Sequence, residues 1–412
     1  MTAHSLPDDP GAARRRPPSL GSLGPSSAAV GPAPDALHVL LVDASDRGGI
    51  ARYTAHLRAG LEAEHATVAL AGPAGVGDPG RELAVPRWGP DVGRMGKAHL
   101  YALRLAEVVP GARSFLRAVA REHPDVVHVQ TEVVPGLDAA VLRRIARRAP
   151  VVLTVHDPHP LEGGARAAAG QARRWRAADA LVLHSEEPRS FVEASAPGVP
   201  VHVVPVDPYF FAPPRRPVLS RAEARRALGV GDGPVALLLG QVKAYKGVAL
   251  LARAWPTVAG ALPGARLFVV GEAYDDAELA CLAECPGVVL RLGVVPEDDL
   301  DRWAAAADVL ALPYGAGSHS GVLHRGLAAG TPVLASPPLA EEVYRTGAGA
   351  VVALDPEAWA EALVGALGAH PLPPPAPPER TGTAGATARG TIAVYRRVLA
   401  ARGFSGPVPG PR

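Results

Sequence analysis

From His38 onward, short apolar runs alternate with stretches in which apolar residues recur at helical spacing. The runs His38 to Asp43, Ala66 to Ala71, Val126 to Val129, Val151 to Val155, Leu181 to His184 and Val201 to Val206 predict buried strands. Between the first two, Gly48-Gly49-Ile50 opens a helix to about Glu64, with Ile50, Tyr53, Thr54 and Leu57 on one face. Asp138 to Arg148 predicts another. The segment Pro205 to Pro214 interrupts the alternation, because its prolines continue neither a helix nor a central strand. Strand-like runs then return at Val235 to Leu239, Arg266 to Val270, Val288 to Leu292, Val309 to Leu312, Val333 to Ala335 and Val351 to Leu354. A Pro-rich break, Pro371 to Pro378, precedes a last helix from about Thr387 to Arg402.

Near-continuous apolar strands separated by helices mean parallel sheets covered on both faces. The expected fold class is α/β, with two doubly wound Rossmann-like domains facing across a cleft. The expected organisation is an N-terminal tail over 1–36, a first domain over 37–210 and a second over 216–370. A Pro-rich linker over 371–384, a helix over 385–404 packing back on the first domain, and a tail over 405–412 complete it. Ligands of such sheets bind beyond the strand carboxyl ends, so both domains are expected to share one site.

Composition narrows the function. The chain has 412 residues, 48% hydrophobic and 20% charged, which is the make-up of a globular protein. A formal net charge of +2 argues against a nucleic-acid binder. Cys281 and Cys285 are too few for a structural zinc and read as small buried hydrophobes. No apolar run reaches the ~18 residues of a membrane span. Residues 1–36, with Arg14-Arg15-Arg16, lack the apolar stretch of a signal peptide and read as a disordered tail, so a cytoplasmic protein is expected. The arginine clusters Arg143-Arg144 with Arg147-Arg148, and Arg173-Arg174 with Arg176, read as solvated helix faces or as a patch for an anionic acceptor or for peripheral contact with the inner face of a membrane.

Two loops carry the candidate chemistry. The first, Gly240 to Gly247, follows a strand and holds Lys243 and Lys246; the second, Ser318 to Val333, follows a strand and opens a helix at Gly321. Fixed positive charge beside helix-start amides suits a diphosphate. Gly321 lets an anion approach the backbone, and Ser320 reads either as part of that cradle or as an ordinary N-cap.

From about Leu37 to Gly368 the chain resembles the retaining, nucleotide-sugar-dependent glycosyltransferases of family 4 (group 1), which have the GT-B fold. The resemblance rests on ordered segments: Gly48-Gly49, Asp125-Val126-Val127-His128-Val129-Gln130, Leu153-Thr154-Val155-His156-Asp157, Ala178 to Ser185, Tyr245-Lys246-Gly247 and Leu327 to Val333. It implies a sugar donor bound as a nucleotide diphosphate in the second domain and a small-molecule, glycan or lipid-linked acceptor in the first. No other cofactor and no metal are implied. It makes Lys246 and His156 the catalytic residues and gives the diphosphate to Lys243, Lys246, Ser320, Gly321 and Val322. Gln241, Glu272, His319 and Arg325 stand as candidate donor or sugar contacts, and Gly48 and Gly49 as an acceptor or phosphate loop. The alternatives are a plain surface histidine for His319, a first-turn helix carboxylate for Glu272, and for His156 a histidine satisfied in its turn by Asp157. The resemblance also implies a front-face route in which the leaving phosphate takes the acceptor proton.

The departures are as specific as the matches. Gln241 stands where the family often has arginine, with Lys243 two residues on. Gly317 and Arg325 stand where many members carry glutamates, one facing the sugar and one holding the ribose hydroxyls. These losses keep other readings open: a catalytically impaired nucleotide-sugar-binding protein or partner subunit, or a pseudo-glycosyltransferase coupling cyclitols. A dinucleotide-dependent dehydrogenase fits worst, since the first strand-to-helix turn reads Asp46-Arg47-Gly48-Gly49 and lacks the Gly-x-Gly-x-x-Gly spacing.

Overall fold

Two parallel sheets organise the chain. The computed structural model describes residues 36–45, 48–73, 82–85, 112–113, 115–132, 138–158, 164–207, 219–273, 276–317, 319–368, 370–375 and 385–403. Residues 1–35, with the expected tail and its arginines, lie outside these, as do 208–218, which include the end of the first break, and 376–384, which include the end of the second.

The first sheet comprises β1 (His38–Val42), β2 (Thr67–Pro73), β3 (Glu82–Val85), β4 (Val126–Val129), β5 (Val151–Thr154), β6 (Ala180–Leu183) and β7 (Val201–Val203). Their order is β3-β2-β1-β4-β5-β6-β7, and every pairing is parallel. The second sheet comprises β8 (Val235–Leu239), β9 (Arg266–Gly271), β10 (Val288–Leu292), β11 (Val309–Leu312), β12 (Val333–Ala335) and β13 (Gly349–Val351), in the parallel order β10-β9-β8-β11-β12-β13. This is the two-domain Rossmann-like arrangement. In each sheet the winding reverses beside the first strand, between β1 and β4 and between β8 and β11. Those reversals open crevices at the strand carboxyl ends.

Successive strand residues point to opposite faces. Leu40 and Val42 join one core with Val127, Leu142 and Trp175, while Val39 and Leu41 join another with Tyr53, Leu57 and Tyr395. The second sheet divides likewise, with Ala236 and Leu238 packing on Trp255 and Trp359, and Val235, Leu237 and Leu239 on Trp303 and Leu323. Each such buried side chain stabilises by about 1.5–3 kcal/mol relative to exposure.

The Gly385–Ala401 helix packs on the Gly48–Ala63 helix and the first sheet through Ala388, Ile392, Tyr395 and Val398. His128 anchors it: Nδ1 is 2.6 Å from the Tyr395 hydroxyl, and Nε2 is 2.8 Å from Thr154 Oγ1. The sequence motifs around β4 and β5 thus have a structural job. Asp125 accepts from the His38 amide at 2.8 Å and Asp179 from the Val151 amide at 2.8 Å, tying neighbouring strands.

Several expectations need correction. Strand β3 is not among the expected strands: it is only four residues long and pairs with β2 alone, at the sheet edge. Strand β13 starts at Gly349, two residues early, because its partner β12 ends at Ala335, opposite Val351. A Cβ at Gly349 would lie 1.9 Å from the Val333 carbonyl oxygen, so that close approach needs glycine. Cys281 is exposed and Cys285 only half-buried. Arg174 is no solvated arginine: it pairs with buried Asp138 at 2.7 Å and donates to the Thr131 carbonyl at 2.6 Å. Among the described residues, no helix is long and apolar enough to cross a membrane.

Candidate functional site

The loops leaving β8 and β11 converge at the second sheet's reversal. After β8, Ala244–Lys246 forms one 3-10 turn, closed by Gly247 at φ 76°. A Cβ there would lie 2.0 Å from the Pro313 carbonyl oxygen, so glycine alone allows the two loops to touch. The Gly315 amide donates to the Tyr245 carbonyl at 2.7 Å and joins them again. The turn places Lys246 inward. Its ammonium donates to the Tyr314 hydroxyl at 2.6 Å and stands 4.2 Å from that ring's centroid. A Cβ built on Gly240 would lie 3.6 Å from Val322 Cγ2 and 3.9 Å from Lys246 Nζ, so turn, ammonium and helix start share one corner. Burial lowers the Lys246 pKa from its ordinary 10.5, against the pull of Tyr245 and Asp157. Lys243 and Gln241 lie half-buried on the same loop, and Glu272 lies beside it, its carbonyl accepting from the Val242 amide at 2.8 Å.

After β11, Ser320 caps the Gly321–Ala329 helix, its side chain accepting from the Leu323 amide. The Ser320 amide donates to Glu342 Oε2 at 2.9 Å and is therefore engaged. Gly321 is open, since a Cβ there would meet nothing within 4 Å. The first-turn amides of a helix have no partner inside it, so this corner favours an anion. His319 is no plain surface histidine, because its Nδ1 lies 2.6 Å from Glu342 Oε1. His324 Nε2 lies 2.7 Å from the same oxygen. His319, His324 and Glu342 are a set able to hold a metal.

The first sheet contributes imidazoles. His156 follows β5, with Nε2 3.1 Å from Gln130 Oε1, so Gln130 rather than Asp157 holds it. Tyr53, His156 and His184 pack ring to ring at 4.9 to 5.5 Å, and His184 lies 5.5 Å from His319 of the second sheet. The carboxyl edges of both sheets therefore meet here. Burial, reinforced by neighbouring imidazoles, pushes His184 down to about 3 and His156 well below its ordinary value, so both stay neutral. Burial raises the Asp157 pKa, opposed by Lys243, His319 and Lys246 across the cleft. Gly48, at φ 90°, begins the first helix beyond β1, and neither it nor Gly49 has an atom within 4 Å of an added Cβ. Buried Asp43 organises that helix start, accepting from Thr54 Oγ1 at 2.7 Å.

Arg325 is 8% exposed and faces carboxylates, pairing with Glu297 and Asp301 of the Glu297–Ala306 helix. Arg52, on the first domain's opening helix, donates to the same Glu297 at 2.9 Å. This charge cluster therefore links the two sheets' helices. A second link runs from Glu341, whose carboxylate accepts from the Glu186 and Glu187 amides at 2.9 to 3.0 Å. Gly317 adopts φ 111°, a conformation open to glycine and strained for glutamate.

Sequence reasoning missed Tyr314, Glu342, Glu297 and Asp301. Burial of Glu342 beside Val343 in the short Ala340–Thr346 helix shows only in the fold, and the others depend on loop closure.

Two family models match in succession: Glycosyltransferase Family 4 over residues 47–208, and Glycosyl transferases group 1 over residues 233–368. The chain is 30% identical over 211 residues to a D-inositol 3-phosphate glycosyltransferase of Streptomyces scabiei, covering 47% of each. It is 32% identical over 186 residues to a GDP-mannose-dependent alpha-(1-6)-phosphatidylinositol monomannoside mannosyltransferase of Mycolicibacterium smegmatis, covering 42% of the chain and 47% of the relative. The chain thus spans about half the length of the curated relatives it matches. A trehalose-phosphate synthase from Burkholderia vietnamiensis superposes with TM-score 0.63 at 16% identity, over 90% of this chain and 100% of that one. Anabaena HepE in complex with UDP and glucose superposes with TM-score 0.60 at 16% identity, over 88% and 96%. With its two parallel sheets, facing reversals and paired matches along its length, the chain belongs to the family 4 (group 1) glycosyltransferases of GT-B fold.

Proposed function

We propose that this protein transfers a sugar from a nucleotide-diphosphate donor to a hydroxyl of a glycan, lipid-linked or small polyol acceptor, with retention of anomeric configuration. The convergence of Lys246, Gly240 and the Gly321 helix start carries this reading. As the sugar bond breaks, negative charge grows on the diphosphate. A fixed ammonium and helix-start amides stabilise that charge without a metal at the leaving group. Lys243 adds charge from the same loop. With Gln130 Oε1 as acceptor, His156 carries its proton on Nε2, and its Nδ1 lone pair can accept from a sugar hydroxyl. Its lowered pKa keeps that lone pair available at neutral pH. The leaving phosphate takes the acceptor's proton, so no side chain attacks the sugar.

The relatives named for GDP-mannose and D-inositol 3-phosphate support a nucleotide-sugar donor and a polyol-type acceptor. One observation favours a second reading, a nucleotide-sugar binder without turnover: Arg325 is engaged by carboxylates where many relatives carry a ribose-binding glutamate. Incubation with UDP-, GDP-, ADP- and TDP-sugars separates the two. Stabilisation by one donor with slow release of its sugar supports transfer, whereas stabilisation with no release, even with cell extract as acceptor source, supports the binder. A peripheral membrane location for a lipid-linked acceptor is part of the same proposal, tested by co-sedimentation with anionic vesicles.

A further inference from the structure

The Glu342 carboxylate is 4% exposed, and His324 is fully buried against it. Two imidazole nitrogens approach one carboxylate oxygen, His319 Nδ1 at 2.6 Å and His324 Nε2 at 2.7 Å. The three atoms all lie within 4.8 Å of one another. A tetrahedral zinc ion, with bonds of about 2.0–2.2 Å, holds its ligand atoms about 3.4 Å apart. Closing on such an ion therefore requires shifts of about an ångström or less. The parts are firmly seated. His324 is on the Gly321–Ala329 helix, and the Glu342 carbonyl accepts from Thr346 Oγ1 at 2.6 Å within the Ala340–Thr346 helix.

An independent feature stands beside this set. His184, 6% exposed, has its ring 5.5 Å from that of His319. Its Nδ1 is 3.0 Å from the Val204 carbonyl oxygen, which fixes the proton there. Its Nε2 then presents a buried lone pair that has no hydrogen-bond partner among the described residues. Two imidazoles and a carboxylate in a buried setting suit a borderline transition ion, and a third imidazole is the usual kind of further ligand.

We infer that His319, His324 and Glu342 form a zinc-class metal site, with His184 poised for a fourth position. The ion clamps the loop after β11 to the Ala340–Thr346 helix and so fixes the Gly321 corner. It is a different place from the Lys243–Lys246 loop, and the inference holds whether or not the protein transfers a sugar.

The test uses tag-free, full-length protein stripped with a chelator and titrated with Zn²⁺ by calorimetry, with Co²⁺ as a spectroscopic probe. One equivalent of Zn²⁺ per chain, a raised melting temperature and the visible bands of four-coordinate Co²⁺ are expected. His319→Gln and Glu342→Gln should each weaken binding by about tenfold or more. His202→Gln, at a partly exposed strand position away from this set, should leave it unchanged. If Glu342→Gln fails to fold, His319→Gln carries the test, since its side chain is the more exposed. Absence of stoichiometric binding overturns the inference. Binding unchanged in His319→Gln, or lost only in His156→Gln, overturns it equally.

Discussion

Replacing Lys246 by methionine separates charge from packing. Methionine keeps most of the aliphatic stem, which is buried, and removes the ammonium 2.6 Å from Tyr314. Losing one preorganised charge-stabilising donor costs ~10²–10³-fold in turnover, or about 3–4 kcal/mol of barrier. Stability should change little, because the lost hydrogen bond is worth about 1 kcal/mol and a desolvated cation disappears with it. That corresponds to a shift of about 2–4 °C in melting temperature. The assay is the initial rate of nucleoside diphosphate release with the best donor, alongside thermal unfolding. Turnover within about threefold of wild type would remove Lys246 from the chemistry, and a large melting shift with intact turnover would make it a packing residue. Acid–base behaviour adds a second signature. Burial lowers the Lys246 pKa from 10.5, so the free enzyme should lose kcat/KM on the alkaline side below that value. Lys246→Arg should abolish that limb.

Three further outcomes are expected. Burial holds His128 and His184 at about 3, so below the unfolded value of 6.5 the unfolded chain binds more protons, and stability is lost as pH falls from 6.5 toward 3. At pH 5 this amounts to about 2 kcal/mol for each histidine; equal urea stability at pH 7.5 and pH 5 would contradict it. Gly247→Ala forces a Cβ to within 2.0 Å of a backbone oxygen at φ 76°, so it should cost about 3 kcal/mol or more and abolish donor binding, read by denaturant melts and thermal shift. Arg325→Glu, which restores the family's usual residue, should not raise turnover. It places a third carboxylate against Glu297 and Asp301 and should lower stability by about 3 kcal/mol, and a gain in activity would refute the cluster's role.

Much of the architecture was legible because parallel strands buried on both faces leave apolar runs, as in Val235–Leu239 and Val309–Leu312. The Lys246 turn and the Gly321 helix start were legible for a related reason: glycine marks positions where two backbones or a ligand must come close. The partners of these residues were not. Tyr314, Glu342 and Asp301 reach the site only when the second sheet closes, and no local spacing encodes that. Arg325 shows the limit most clearly. From the sequence it reads as a lost acceptor, whereas the fold sets it against Glu297 and Asp301 from a helix 24 to 28 residues earlier and links it through Glu297 to Arg52 of the first domain.

The central claim is that a diphosphate binds where Lys246 meets the start of the Gly321–Ala329 helix. A crystal structure with UDP or GDP bound tests it most directly. The account predicts phosphate oxygens within hydrogen-bonding reach of Lys246 Nζ and of the Gly321 and Val322 amides. A diphosphate ordered elsewhere, with Lys246 still closed on Tyr314, would contradict it.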